Sequence, residues 1–185
     1  MARIACFLLL ILALACPEDQ PQKVVSRDLG FTAVFPGSTT TARHTEPTPF
    51  GEIEWFTTTH VGSSSSGQIC NVEVGTLPPG NQGGANQEEI LLTLKKWIAE
   101  LYPGSIVELG SDRGPGFEYA TETAVMETMG VIVLRRGRLH HARGTAPKPT
   151  DPWRYFRSWL PNLPKADMTP DPTPKNFVRS FQVDP

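Results

Sequence analysis

Residues 117–144 constrain the fold more than any other stretch. An apolar run, Gly130-Val131-Ile132-Val133-Leu134, meets a basic turn, Arg135-Arg136-Gly137-Arg138. A return segment, Leu139-His140-His141-Ala142-Arg143, follows. An apolar run of this length, bounded by turn residues and rich in β-branched side chains, fits a buried strand. The spacing predicts a central β-hairpin. A sheet built on it needs partners on both sides and a cover, so an all-helical fold is excluded.

Other strands are expected from alternation. Phe31, Ala33 and Phe35 share one face of a first strand, which Pro36-Gly37 stops. Residues 51–60 place Ile53 and Trp55 on one face and Glu52 and Glu54 on the other. Residues 68–77 form the return strand of that second hairpin and put Cys70, Val72 and Val74 on a common face as core. Ser105 to Leu109 and a run beginning at Phe117 complete about six to seven strands. Residues 124–129 fit either strand or turn.

One amphipathic helix is expected over about 86–102. Ile90, Leu91, Leu94, Trp97, Ile98 and Leu101 recur at helical spacing. Asn86 is the expected N-cap, Glu88 and Glu89 favour the first turn, and Pro103-Gly104 ends the helix. Thr173-Pro174 starts a C-terminal helical segment holding Phe177, Val178 and Phe181. The expected class is α+β: an antiparallel sheet covered by the main helix and the C-terminal segment. High proline (18) and glycine (16) counts agree with a loop-rich fold.

The N-terminus carries an address. Met1-Ala2-Arg3 is a positive n-region, residues 4–14 are apolar but too short to span a bilayer, and Ala13-Leu14-Ala15 is a small-x-small cleavage site. Residues 1–15 therefore read as a signal peptide and residues 16–28 as a flexible tether. Cys16 follows the cleavage point, which leaves two fates open: lipid attachment at Cys16 with membrane anchoring, or release. The chain carries a formal charge of −2, and removing Arg3 with the signal leaves −3. This balance gives no drive toward nucleic acid.

The domain reading is one α+β domain over 29–144 plus 174–183. Residues 145–173 are a proline-rich insertion with a short aromatic helix at 153–160. Within that insertion Trp153, Tyr155, Phe156 and Trp159 resemble interface residues. The plainer alternative docks Trp153, Phe156 and Leu160 on the domain's own sheet.

Motifs for catalysis are lacking. No H-x-x-x-H, C-x-x-C, H-E-x-x-H or G-x-S-x-G pattern occurs, and the glycine-rich 77–84 loop lacks a phosphate-binding lysine. Neither a cofactor nor a metal is expected. His140 and His141 must point to opposite faces of a strand, one packed and one exposed. The basic hairpin remains. Arg135, Arg136, Arg138 and Arg143 could meet an anionic envelope polymer or an acidic partner protein. The plainer reading is a solvated tip paired with Glu118, Glu122 or Glu127.

Several short motifs carry a resemblance. Gly30-Phe31-x-x-x-Phe35-Pro36-Gly37, the mid-chain helix, Gly114-Pro115-Gly116, Arg138-Leu139 and Phe177-x-x-Ser180-Phe181 recur in this order in a group of exported bacterial proteins of unknown function. That group resembles the PsbP-like α/β/α sandwich. His140 departs from it, standing where the group has an aromatic residue, and 153–172 looks like an insertion. The resemblance implies a non-catalytic binding or assembly module of the cell envelope and supplies no catalytic residue. The competing expectation is a small envelope hydrolase whose site follows no standard motif.

Overall fold

A computed structural model describes residues 20–62, 67–81, 86–110, 113–148 and 173–184. The signal segment, Cys16 and the aromatic residues Trp153, Tyr155, Phe156 and Trp159 lie outside these. The class is α+β, with two sheets and two α-helices among the described residues.

The larger sheet has seven strands, all antiparallel to their neighbours: β3 (Thr40–Thr48), β4 (Gly51–Val61), β5 (Ile69–Thr76), β6 (Gly104–Glu108), β7 (Gly116–Glu122), β8 (Met126–Arg135) and β9 (Arg138–Pro147). Their spatial order is β3-β4-β5-β9-β8-β7-β6. The smaller sheet is β1 (Gln22–Ser26), β2 (Phe31–Phe35) and β10 (Gln182–Val183), ordered β1-β2-β10. The helices are α1 (Gln87–Leu101) and α2 (Thr173–Ser180).

Two cores sandwich the larger sheet. On one face Ile90, Leu94 and Ile98 of α1 meet Ile53, Trp55, Phe117, Ile132, Leu134 and Leu139. On the other, Phe31 and Phe35 of β2 and Phe177, Val178 and Phe181 at the C-terminus meet Cys70, Val72, Val131, Val133 and Ala142. This is why residues 131–134 are apolar without alternation: a strand covered on both faces needs no polar side. Each fully buried side chain of this size contributes about 1.5–3 kcal/mol.

The β8–β9 connection is a two-residue turn. Arg136 (φ 51°) and Gly137 (φ 71°) both have positive φ. That conformation suits the right-handed twist of the flanking strands, and glycine adopts it without strain.

Five expectations need correction. Residues 22–26 belong to a strand, not to a flexible tether. The polar segment after Ser38 is likewise a strand, β3, at the sheet's outer edge. Strand β9 runs past Gly144 to Pro147, into the region expected as linker. Asn86 occupies the N-cap position but makes no side-chain cap bond, and Leu101 is 50% exposed rather than part of the buried stripe. The undecided 124–129 segment resolves into a turn followed by β8, with Thr123 Oγ1 accepting from the Met126 amide at 3.0 Å.

Candidate functional site

The basic turn does not stand alone in solvent. Arg138 Nη1 donates to the Asp28 carbonyl at 2.8 Å, and the Asp184 amide donates to the Gly30 carbonyl at 3.0 Å. These bonds draw the β1–β2 turn and the C-terminal strand onto the β8–β9 hairpin. Between them lies a recess of about 340 Å³ walled by Arg27, Arg135, Arg136, Arg138, His140 and Asp184, with Leu29, Gly30 and Val183. Four arginines and one aspartate line it.

His140 forms part of this wall and is 2% exposed. Its Nδ1 has no hydrogen-bond partner among the described protein atoms. Burial, reinforced by the charges of Arg138 and Arg135, pushes its pKa down to about 4. The ring is therefore neutral at physiological pH. A Cβ on Gly30 would sit 3.9 Å from His140 Cε1, so a larger side chain there would crowd the ring's edge.

Arg143 belongs elsewhere. Alternation along β9 sends Arg138 and His140 to the small-sheet face and His141 and Arg143 to the α1 face. Arg143 donates to the Tyr102 hydroxyl, and with the Asn71 amide oriented to satisfy its neighbours, Asn71 Oδ1 accepts from Arg143 Nη2 at 3.1 Å. The expected pairing of hairpin arginines with Glu118, Glu122 or Glu127 is also replaced. Arg113 holds Glu118 at 2.5 Å and Lys148 holds Glu122 at 2.6 Å.

The histidine pair splits as strand geometry requires, but both members are buried. His141 has a partner on each nitrogen. Its Nδ1 lies 3.1 Å from Glu73 Oε2, and its Nε2 lies 2.7 Å from the Tyr119 hydroxyl. Burial, with Glu73 nearby, raises the Tyr119 pKa far above the ordinary phenol value, so the phenol keeps its proton. Donation from Tyr119 to Nε2 and from Nδ1–H to Glu73 then satisfies all three groups. Burial alone would raise the Glu73 carboxyl. The hydrogen bond from His141, together with the positive charge of Arg143, outweighs it and holds the carboxyl below its usual range.

Gly130 makes room for this chain. A Cβ there would come within 2.3 Å of Tyr119 Cζ, so only glycine lets the ring lie across β8. Tyr102 stacks on Tyr119 with ring centroids 5.1 Å apart. Although the acid–imidazole–hydroxyl order superficially resembles a catalytic relay, the hydroxyl is buried and held in its neutral form, a poor nucleophile. The chain's effect is to tie β5, β9 and β7 together.

The remaining histidines act locally. His60 Nδ1 donates to the Ser38 carbonyl at 2.9 Å, and exposed His44 lies 3.3 Å from Thr57 Oγ1. No cluster of three His, Cys, Asp or Glu suited to a metal occurs among the described residues. The recess members missed by sequence reasoning are Arg27, Leu29, Gly30, Val183 and Asp184. Recognising β1 as a strand would have placed its turn beside the basic hairpin.

No protein-family model matches the chain and no curated protein matches it, so the PsbP-like resemblance rests on the short motifs alone.

Proposed function

We propose that the protein is an exported, non-catalytic binding module of the bacterial cell envelope, and that the recess under the β8–β9 turn holds an anionic group of an envelope component. The observation carrying this reading is the convergence of Arg27, Arg135, Arg136 and Arg138 on a wall that includes buried His140. Guanidinium groups make strong charge-assisted bonds to phosphate and carboxylate, and a site lined by one sign of charge concentrates anions. The n-region, apolar run and cleavage site of residues 1–15 support export. Cys16 supplies the position for a lipid anchor, and acyl labelling that disappears in Cys16→Ser would establish it.

Changing Arg135, Arg136 and Arg138 together to serine tests the recess. Isothermal titration with inorganic phosphate should show saturable binding to the unaltered chain and none to the triple variant, which should still unfold cooperatively although it loses the Arg138–Asp28 bond. Equal binding by both would refute the assignment. A small envelope hydrolase is disfavoured because the described acid–imidazole–hydroxyl chain ends in a buried, protonated phenol.

A further inference from the structure

The three-stranded sheet and α2 cover only part of the larger sheet. Helix α2 has its principal contacts with β9, β8 and β2 rather than with the outer strands β3 and β4. A second recess of about 710 Å³ lies over this ledge, within the ~300–1,000 Å³ usual for small-molecule sites. It shares Leu29 and Arg138 with the arginine recess. Arg138, tied to the Asp28 carbonyl, therefore stands at a join between two compartments.

The two compartments differ in chemistry. The larger one is lined by the hydroxyl residues Ser26, Thr41, Thr58 and Thr76, by apolar Phe56 and Val74, and by Asp28 and Arg43. Thr41 and Thr58 are cross-strand partners, as are Phe56 and Val74. Hydroxyls both donate and accept, which matches a ligand that does the same at many positions. An acyl chain would leave them unpaired, at a cost. A flat base would need an open aromatic face, and that of Phe56 is covered by the Arg43 guanidinium 4.3 Å from the ring centroid. A sugar ring, with hydroxyls around its rim, matches the row of serine and threonine residues. In the smaller compartment, four guanidinium groups against Asp184 leave a formal excess of three positive charges, which favours phosphate over a single carboxylate.

We infer that the two recesses form one bipartite site for a phosphorylated sugar, with the phosphate among Arg27, Arg135, Arg136 and Arg138 and the ring on the threonine ledge. This rests on the anion reading above and names the ligand class for the same site. It makes Thr41 and Thr76, both exposed, specificity-determining residues.

Calorimetry with inorganic phosphate, glucose 6-phosphate and glucose tests it on the exported chain. Glucose 6-phosphate is expected to bind ~10-fold or more tightly than phosphate, as one or two added hydrogen bonds would give, with glucose alone unmeasurable. In Thr41→Val/Thr76→Val, that advantage should shrink to within ~3-fold while phosphate binding is unchanged. Equal affinity for phosphate and glucose 6-phosphate would overturn the bipartite site and leave the anion recess standing. Absence of binding to phosphate and glucose 6-phosphate alike would overturn both. The methyl phosphodiester of glucose separates sources: tighter binding than the monoester points to a polymer-borne unit, weaker binding to a free sugar phosphate.

Discussion

His140 and His141 are neighbours in the chain and opposites in chemistry. His141 faces α1, where Glu73 and Tyr119 engage its two nitrogens. His140 faces the small sheet, where its Nδ1 has no partner among the described atoms and its nearest charges are arginines. One side of β9 is a completed polar network that holds strands together. The other is a cationic wall whose demands the protein does not meet by itself. Buried polar groups are normally satisfied, so the second kind of surface marks where a ligand would contribute most.

The largest contrast should come from removing each ring. His141→Ala strips the Glu73 carboxylate and the Tyr119 hydroxyl of their shared partner in a buried setting, and should cost about 3–5 kcal/mol in chemical denaturation. If it costs no more than a surface substitution, the network is not structural.

Acid should act next most strongly, and through His140. Its folded pKa of about 4 lies below the unfolded value of 6.5, so between these values the unfolded chain binds more protons. The stabilisation is fully present above pH 6.5 and is lost as pH falls toward about 4, by an amount on the order of 3 kcal/mol. Glu73, held below its usual range, adds a further loss only below about 4.5. Denaturation midpoints across pH 7 to 4 would show the decline, and it should flatten in His140→Leu.

Gly130→Ala sharpens the comparison from the network side. The added methyl must displace the Tyr119 ring, and overpacking of this kind costs about 1–3 kcal/mol. The smallest stability effect is expected from His140→Leu. It exchanges a neutral imidazole whose Nδ1 has no partner among the described atoms for an apolar side chain of comparable size and should change stability at pH 7.5 by less than ~1 kcal/mol. A large loss there would mean that His140 is as structural as its neighbour.

Much of the fold was legible because its central elements carry strong apolar patterns. The run Val131–Leu134, the Ile53/Trp55 alternation and the Ile90/Leu94/Ile98 stripe identify elements whose burial demands them. Strands β1 and β3 escaped notice for the converse reason. Edge strands such as Thr40–Thr48 are exposed along most of their length, so neither face needs an apolar pattern. Gly144 looked like an end, yet β9 continues through Thr145 and Ala146 because β5 and β8 extend far enough to pair with it.

The candidate site was legible in part. The arginines of the turn stood out by composition, and strand parity separated the two histidines. Parity also assigns Arg143 to the opposite face from Arg138, although proximity in sequence suggested one patch. Arg27 could not be added without the packing of the β1–β2 turn on the hairpin, where Arg138 meets the Asp28 carbonyl 110 positions away. That one histidine would be exposed was also unfounded, since it assumed a sheet with one wet face.

The most direct test follows both imidazoles at once. Ring resonances of His140 and His141 can be recorded by NMR on histidine-labelled protein during a phosphate titration at pH 7.5. The account predicts a saturable shift of His140, an unmoved His141, and no shift of either in the Arg135→Ser/Arg136→Ser/Arg138→Ser variant. Signals that move together, or a His140 signal that stays fixed while phosphate binds, would contradict it.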